Sequence, residues 1–341
     1  MDVTVIGLAG CGKSTLLNAL TGQDTANVHI AAVKVPDTRI DRLAQIFKPK
    51  KTIYAEIRAK EAAWPGAGEG KRRNEIERYF ELIKGSSLFL HVLRGCATPL
   101  AADPPDILRD LDKLDGEMLF ADLFTCERLI ERDHIQPMDH ARKHAVLKAK
   151  ELLERETPLW NAGLDETDLT GLAGLNFLSL TPQMLVVNID ENTDAASFPL
   201  PPAEKLHGRR AVAVCLKMAA EVAALGAEEQ MAFAKEMGLG EPAAHLISRE
   251  AYAQLNLISF FTVGDDEVRA WSIPAGTVAQ KAAGKVHTDM ERGFIRAEIV
   301  PFETLVELGS LKACREAGKL RVEGKTYVVQ DGEIMHVRFN V

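Results

Sequence analysis

The chain has 341 residues, 46% of them hydrophobic and 26% charged, with a formal net charge of −8. This balance suits packed domains with a sizeable core, and it excludes a disordered or fibrous protein and a strongly basic nucleic-acid binder. With no apolar run long enough to span a bilayer, no secretory pattern and five scattered cysteines without metal-ligand spacing, the expectation is a reduced, cytoplasmic protein without membrane or DNA contacts.

Residues 3–6 form a short apolar run closed by Gly7, the pattern of a buried parallel strand. "GLAGCGKS" follows and fits G-x-x-x-x-G-K-[ST] at every fixed position; residues 13–20 then read as a helix with Leu16, Leu17 and Leu20 on one side. Strand, glycine loop and helix in that order is the context a phosphate-binding loop requires. Gly7, Gly10 and Gly12 allow a tight turn that aims backbone N–H groups at phosphate oxygens, Lys13 reaches the β- and γ-phosphates, and Ser14 offers a hydroxyl to Mg²⁺. Cys11 and Thr15 complete the candidate nucleotide-binding set.

Further strands are expected at residues 31–35, 53–59, 88–93, 184–187 and 211–215, alternating with helical patterns such as 39–47 and 75–83. The alternation predicts an α/β fold with a doubly wound, mainly parallel sheet. Between residues 106 and 160, two long stretches with helix-period apolar residues flank Pro137 and predict an inserted antiparallel helical hairpin. Residues 226–252 read as helical. From residue 257 onward, β-branched and aromatic residues alternate with turn signals, predicting a small α+β domain with one helix over 302–317 and a hairpin at the Asp-Gly of "VVQDGEIMHVRF". The resulting division is 1–105 with 182–255, 106–181, and 256–341.

Hydrolysis needs more than a phosphate loop. A carboxylate near Mg²⁺ is often signalled by D-x-x-G after a strand, but here "KEAAWPGAGEG" follows, with Glu61 the nearest acid and Trp64 in place of the glycine. Glu61 reads either as a magnesium-site residue or as a solvated acid. The apolar strand "MLVVN" ends in Asn188, Ile189, Asp190 and Glu191, where guanine-specific proteins read N-K-x-D, so strict guanine recognition is not expected.

These residues together resemble the YchF or Obg-like ATPases, P-loop NTPases of the translation-factor class with a helical insertion and a C-terminal, ubiquitin-like TGS domain. The resemblance is carried by "GCGKSTLLNALT", "VPDTRIDRLAQIFKPKKT", "NIDE" and, at greatest length, "VRAWSIPAGTVAQKAAGKVHTDMERGFIRAEIV" and "EAGKLRVEGKTYVVQDGEIMHVRFNV". It implies ATP with Mg²⁺ in preference to GTP, base contacts from Asn188 and Glu191, and a ribosome or RNA partner. The departures are informative too. The first switch, within "GQDTANVHIAAVKVPD", is shortened; D-I-A-G-L becomes residues 61–65, "EAAWP"; and the loop after "HVLR" has no histidine, while His91 inside the strand reads as a core residue. The S-A motif becomes Cys215, Leu216 and Lys217.

All but the last of these departures fall on hydrolysis and switching, which affects the transition state more than ground-state binding. The leading expectation is an ATP-binding protein with slow or absent hydrolysis in translation. The alternatives are an active ATPase using Glu61, and a TGS-based adaptor with a vestigial nucleotide site. For the adaptor, Lys48, Lys50 and Lys51, and Lys71, Arg72 and Arg73, are candidate phosphate-backbone contacts, although both clusters read first as solvated loop charge.

Overall fold

The computed structural model describes residues 2–24, 30–65, 72–101, 103–236 and 241–340. The first half of the chain runs β1 (Asp2–Ile6), α1 (Lys13–Thr21), β2 (Ile30–Lys34), α2 (Thr38–Phe47), β3 (Lys51–Ile53), β4 (Glu56–Glu61), α3 (Arg72–Ile83), β5 (Leu88–Arg94), α4 (Ile107–Arg132), α5 (His140–Glu154) and α6 (Glu166–Leu172). It continues with β6 (Gln183–Asn188), β7 (Ala211–Val214), α7 (Leu216–Ala223), α8 (Ala227–Glu236) and α9 (Ala243–Gln254). The C-terminal part contains β8 (Leu257–Val263), β9 (Glu267–Pro274), α10 (Ala279–Val286), α11 (Thr288–Arg292), β10 (Phe294–Pro301), α12 (Phe302–Leu308), α13 (Leu311–Glu316), β11 (Arg321–Glu323) and β12 (Glu333–Phe339).

Two compact units result, residues 1–32 with 58–247, and residues 33–57 with 248–341. In the first, the sheet order is β2-β4-β1-β5-β6-β7, and β4, β1, β5, β6 and β7 pair in parallel. The expected doubly wound parallel sheet is therefore present. Every residue of β5 is buried, as a central parallel strand covered on both faces must be. The inserted helices start where short acids cap them: Asp106 accepts from the Arg109 N–H, and Asp139 from the Arg142 N–H. Cys126 of α4 and Ala145, Val146, Ala149 and Leu153 of α5 share a buried cluster, so the two helices pack face to face. Asp122, buried in α4, accepts the Leu178 and Ser179 N–H groups at 2.9 and 2.7 Å, tying the insertion to the approach to β6.

In the second unit the sheet order is β11-β10-β12-β8-β9-β3. Its core gathers Phe260, Ile273, Phe294, Ile299 and Met335 against the small face of α10, Ala279, Ala282 and Ala283. The single strand expected over 53–59 is divided: β3 pairs with β9, whereas β4 pairs with β1. That pairing, and the Arg39 guanidinium on the Asp331 carboxylate at 2.7 Å, join 33–57 to the C-terminal residues. Division by compactness thus differs from division by motif. The helix expected over 302–317 breaks at Gly309, whose φ of 75° ends α12, and the Ser310 hydroxyl then caps α13. The hairpin expected at Asp331-Gly332 does not form. The Asp331 carboxylate accepts the Ser259 N–H, residues 327–330 form no strand, and β12 pairs instead with β10 and β8.

Among the described residues no helix is long and apolar enough to cross a membrane. Of the basic clusters, Lys50 pairs with Asp266 at 2.7 Å. Lys71 and the side chains of Arg72 and Arg73 lie outside the described residues, as do residues 25–29 of the first-switch segment.

Candidate nucleotide site

β1 is the point where strand order turns, with β4 on one side and β5 on the other. The loop leaving its C-terminal end therefore lies in the crevice where open α/β sheets bind ligands. Gly7 leaves the strand at φ 142°, and a Cβ there would lie 2.5 Å from the Val92 carbonyl oxygen, so only glycine fits. Gly12 is the N-cap of α1 at φ 109°, and a Cβ would meet the Asn188 amide nitrogen at 2.7 Å. No side chain caps this helix and no acid occupies its first turn. The N–H groups of its first turn and the positive end of its dipole are thus left for an external anion.

Lys13 is buried at 7% exposure, its ammonium donating to the Gly7 and Leu8 carbonyls at 3.0 Å each. The charge is thus held within the loop itself. Ser14 is exposed, and its hydroxyl donates to Glu61 Oε1 at 3.0 Å. The contact follows from register: Val5 pairs with Glu61, which brings the last residue of β4 level with the end of β1. A serine hydroxyl and a carboxylate are hard oxygen donors that fit Mg²⁺, a cation that takes few protein ligands and completes its shell with phosphate and water. The Cys11 thiol is buried and its pKa raised by that burial, so this residue offers the site its backbone. Thr15 lies half-buried in the first turn of α1.

At the other end of the site, Asn188 is engaged at both polar atoms. Its Nδ2 donates to the Cys11 carbonyl at 3.0 Å, and its Oδ1 accepts the Leu216 N–H at 3.3 Å. Asn188 thereby ties the phosphate loop to the start of α7. The Glu191 carboxylate is exposed and pairs with Lys217 at 2.7 Å, a hydrogen bond that raises the lysine pKa.

The segment after Glu61 is anchored. The Ala62 N–H donates to the Val5 carbonyl at 3.2 Å, and the Trp64 ring meets Tyr79 edge-on with centroids 5.0 Å apart. The Tyr79 hydroxyl, fully buried, is directed at the Gly7 backbone without completing a well-formed hydrogen bond, and burial raises its pKa. Trp64, where a glycine would otherwise stand, thus belongs to the core beneath the loop. His91 is fully buried and bonded through Nδ1 to Gln183 at 3.0 Å, a core position as expected; burial lowers its pKa to about 4.

Sequence reading assigned no role to three groups around this site. Arg94, at the end of β5, grips Asp110 of α4 through two bonds of 2.6 and 2.9 Å, both residues being buried. Its Nη1 donates to the Asp103 carbonyl at 3.1 Å, holding the loop after β5. Lys217 and Thr98 are the others. An isolated arginine and threonine carry no motif, and Lys217 faces Glu191 only because β6 and β7 are neighbours.

Family models match both ends of the chain: a 50S ribosome-binding GTPase model over residues 2–120, and the YchF-GTPase C-terminal model, described as a protein of unknown function, over 257–340. The ribosome-binding ATPase YchF of Haemophilus influenzae is 35% identical, with 99% of this chain and 98% of the relative covered. The protein of the same name from Bacillus subtilis is 33% identical over the same shares. Among solved structures, the Schizosaccharomyces pombe YchF GTPase superposes with a TM-score of 0.84 at 24% identity, covering 99% of this chain and 97% of that one. A GTP-binding protein from Pyrococcus horikoshii OT3 does so at 0.63 and 17%, with both chains fully covered. The two solved structures share the fold, and the full-length identity to the curated relatives goes further: this nucleotide-binding P-loop chain belongs to the YchF family.

Proposed function

We propose that this protein binds ATP, or another purine nucleotide, together with Mg²⁺, hydrolyses it slowly or not at all, and acts in the cytoplasm as a ribosome-associated regulator. The observation that carries the reading is the uncapped N-terminus of α1, with the Lys13 ammonium inside the loop and the Ser14–Glu61 pair beside it. Backbone N–H groups and Lys13 hold the phosphates, while Ser14 and Glu61 hold the metal. The metal, when bound, neutralises charge on the phosphate oxygens. Asn188 acts as a positioning residue between the phosphate loop and the base loop, and Glu191, once released by Lys217, is the base-facing acid. On this reading residues 1–105 with 182–255 form the nucleotide-binding domain, 106–181 the helical insertion and 256–341 a TGS domain. Ribosome association is proposed from the curated relatives, whose names describe ribosome-binding ATPases.

Slow turnover is inferred from the segment that would meet the terminal phosphate. Trp64 packs into the core against Tyr79, and His91 is buried away from solvent, so neither is free to orient water. One observation favours a second reading. The bond between Ser14 and Glu61 supports a carboxylate beside the metal-binding hydroxyl, which an active ATPase would use. Calorimetric titration with ATP, ADP and GTP, with and without Mg²⁺, followed by single-turnover hydrolysis, separates the two. Tight ATP binding with negligible turnover is the expected result, whereas turnover abolished by Glu61→Ala establishes the active enzyme. Ribosome co-sedimentation tests the partner. Association without any nucleotide binding, unchanged by Lys13→Ala, would return the protein to the adaptor reading.

A further inference from the structure

The loop that follows β5 lies against the phosphate loop and is held at both ends. At its start the Gly95 N–H donates to the Asn188 carbonyl at 2.9 Å, and beyond its turn Arg94 holds the Asp103 carbonyl. Between these anchors "TPLA" makes a turn closed by the Ala101 N–H on the Thr98 carbonyl at 3.2 Å, with Pro99 at the position that favours such turns. The turn sits over Gly10: a Cβ built there would meet Leu100 Cβ at 2.8 Å and Thr98 Oγ1 at 3.4 Å. The Thr98 hydroxyl is thus close to the middle of the phosphate loop. Its oxygen is buried from solvent and has no hydrogen-bond partner among the described residues.

A hydroxyl left unpaired in a buried place costs stability unless something completes its hydrogen bond. The ordinary alternative is a threonine chosen for shape, its methyl group packing and its oxygen incidental. Two features argue against that. The oxygen is the Thr98 atom that comes nearest to where a Gly10 side chain would lie, and the turn that brings it there is closed by its own hydrogen bond. At a loop built to receive phosphate, the group that satisfies a donor is a phosphate oxygen.

We propose that Thr98 is a nucleotide-binding residue whose hydroxyl donates to the phosphate chain of the bound nucleotide, taking part in the site together with Lys13 and Ser14. The proposal rests on the nucleotide-binding reading above and assigns the loop after β5 a role in it. Because this donor is waiting rather than engaged, its removal has opposite consequences in the free and the bound protein.

The test uses Thr98→Val, which preserves the branched shape and removes only the hydroxyl, with Thr98→Ser and Lys13→Ala as companions. Calorimetry with ATP reads binding, and thermal unfolding of the nucleotide-free protein reads the cost of the change. Thr98→Val is expected to weaken ATP binding roughly tenfold, the scale of one hydrogen bond to a charged acceptor, while leaving the nucleotide-free Tm unchanged or raised. Thr98→Ser is expected to recover most of the affinity. Unchanged ATP affinity in Thr98→Val overturns the proposal, and so does a lowered nucleotide-free Tm, which would mean that the hydroxyl already serves the fold. The nucleotide-binding reading fails separately: wild type and Lys13→Ala would then be alike in failing to bind ATP.

Discussion

Lys13 and Ser14 are neighbours in sequence but differ in how much of their role can be read from it. The lysine role follows from spacing, since the glycine loop and the helix that follow one another in the chain also follow one another in space. Lys13→Ala is expected to lower ATP affinity about a hundredfold, as loss of a charge-assisted contact to phosphate, in the same titration. Glu61 reads in sequence either as a magnesium-site residue or as a solvated acid, because its contact with Ser14 depends on the pairing of Val5 with Glu61 across two strands. Glu61→Gln is expected to remove most of the Mg²⁺ enhancement of ATP affinity and to leave metal-free binding nearly unchanged, measured by titration with and without EDTA. Asn188 shows the limit in another way. A short motif names it, but only the structure reveals that both its polar atoms are spent on Cys11 and Leu216. Asn188→Ala leaves a carbonyl and an N–H unpaired and is expected to destabilise the protein by about 1–3 kcal/mol in urea unfolding.

Helices α4 and α5 were legible because an amphipathic period and a proline separator are local signals. Less legible were the breaks. The stretch 53–59 reads as one strand, yet Ile53 ends β3 in one sheet and residues 56–59 open β4 in the other, a competition that no local window contains. The 302–317 helix hides its break in a single glycine with left-handed backbone, followed by a serine that restarts the helix. The tie between α4 and β5 was also invisible, since Arg94 and Asp110 are 16 residues apart and look like ordinary charges. In the buried pair, removal of one partner strands the other. Asp110→Ala is therefore expected to cost about 3–5 kcal/mol in urea unfolding, well above the effect of breaking the exposed Lys50–Asp266 pair.

Across the whole molecule, two buried groups with opposite habits shape the response to acid. Burial lowers the His91 pKa from 6.5 to about 4, so its neutral form contributes stability that is full above pH 6.5 and lost as pH falls toward 4. Burial raises the Asp122 pKa from 3.8 to about 6, so its contribution is full below pH 3.8 and lost as pH rises toward 6. Each amounts to about 3 kcal/mol, and between pH 4 and 6 the two slopes oppose one another. Urea midpoints across this window are expected to fall with rising pH in His91→Gln and with falling pH in Asp122→Asn, more steeply in each case than in wild type. The parallel sheet was foreseeable from alternating strands and helices; the make-up of the second unit was not, because β3 and β9 are separated by most of the chain. That pairing has a practical consequence. A fragment cut out at residue 248 would lack β3, which pairs with Glu267, Val268 and Arg269, leaving the N–H and C=O groups at the start of β9 bare. Such an edge is a template for another copy of itself, and the excised piece is expected to self-associate more than the intact protein.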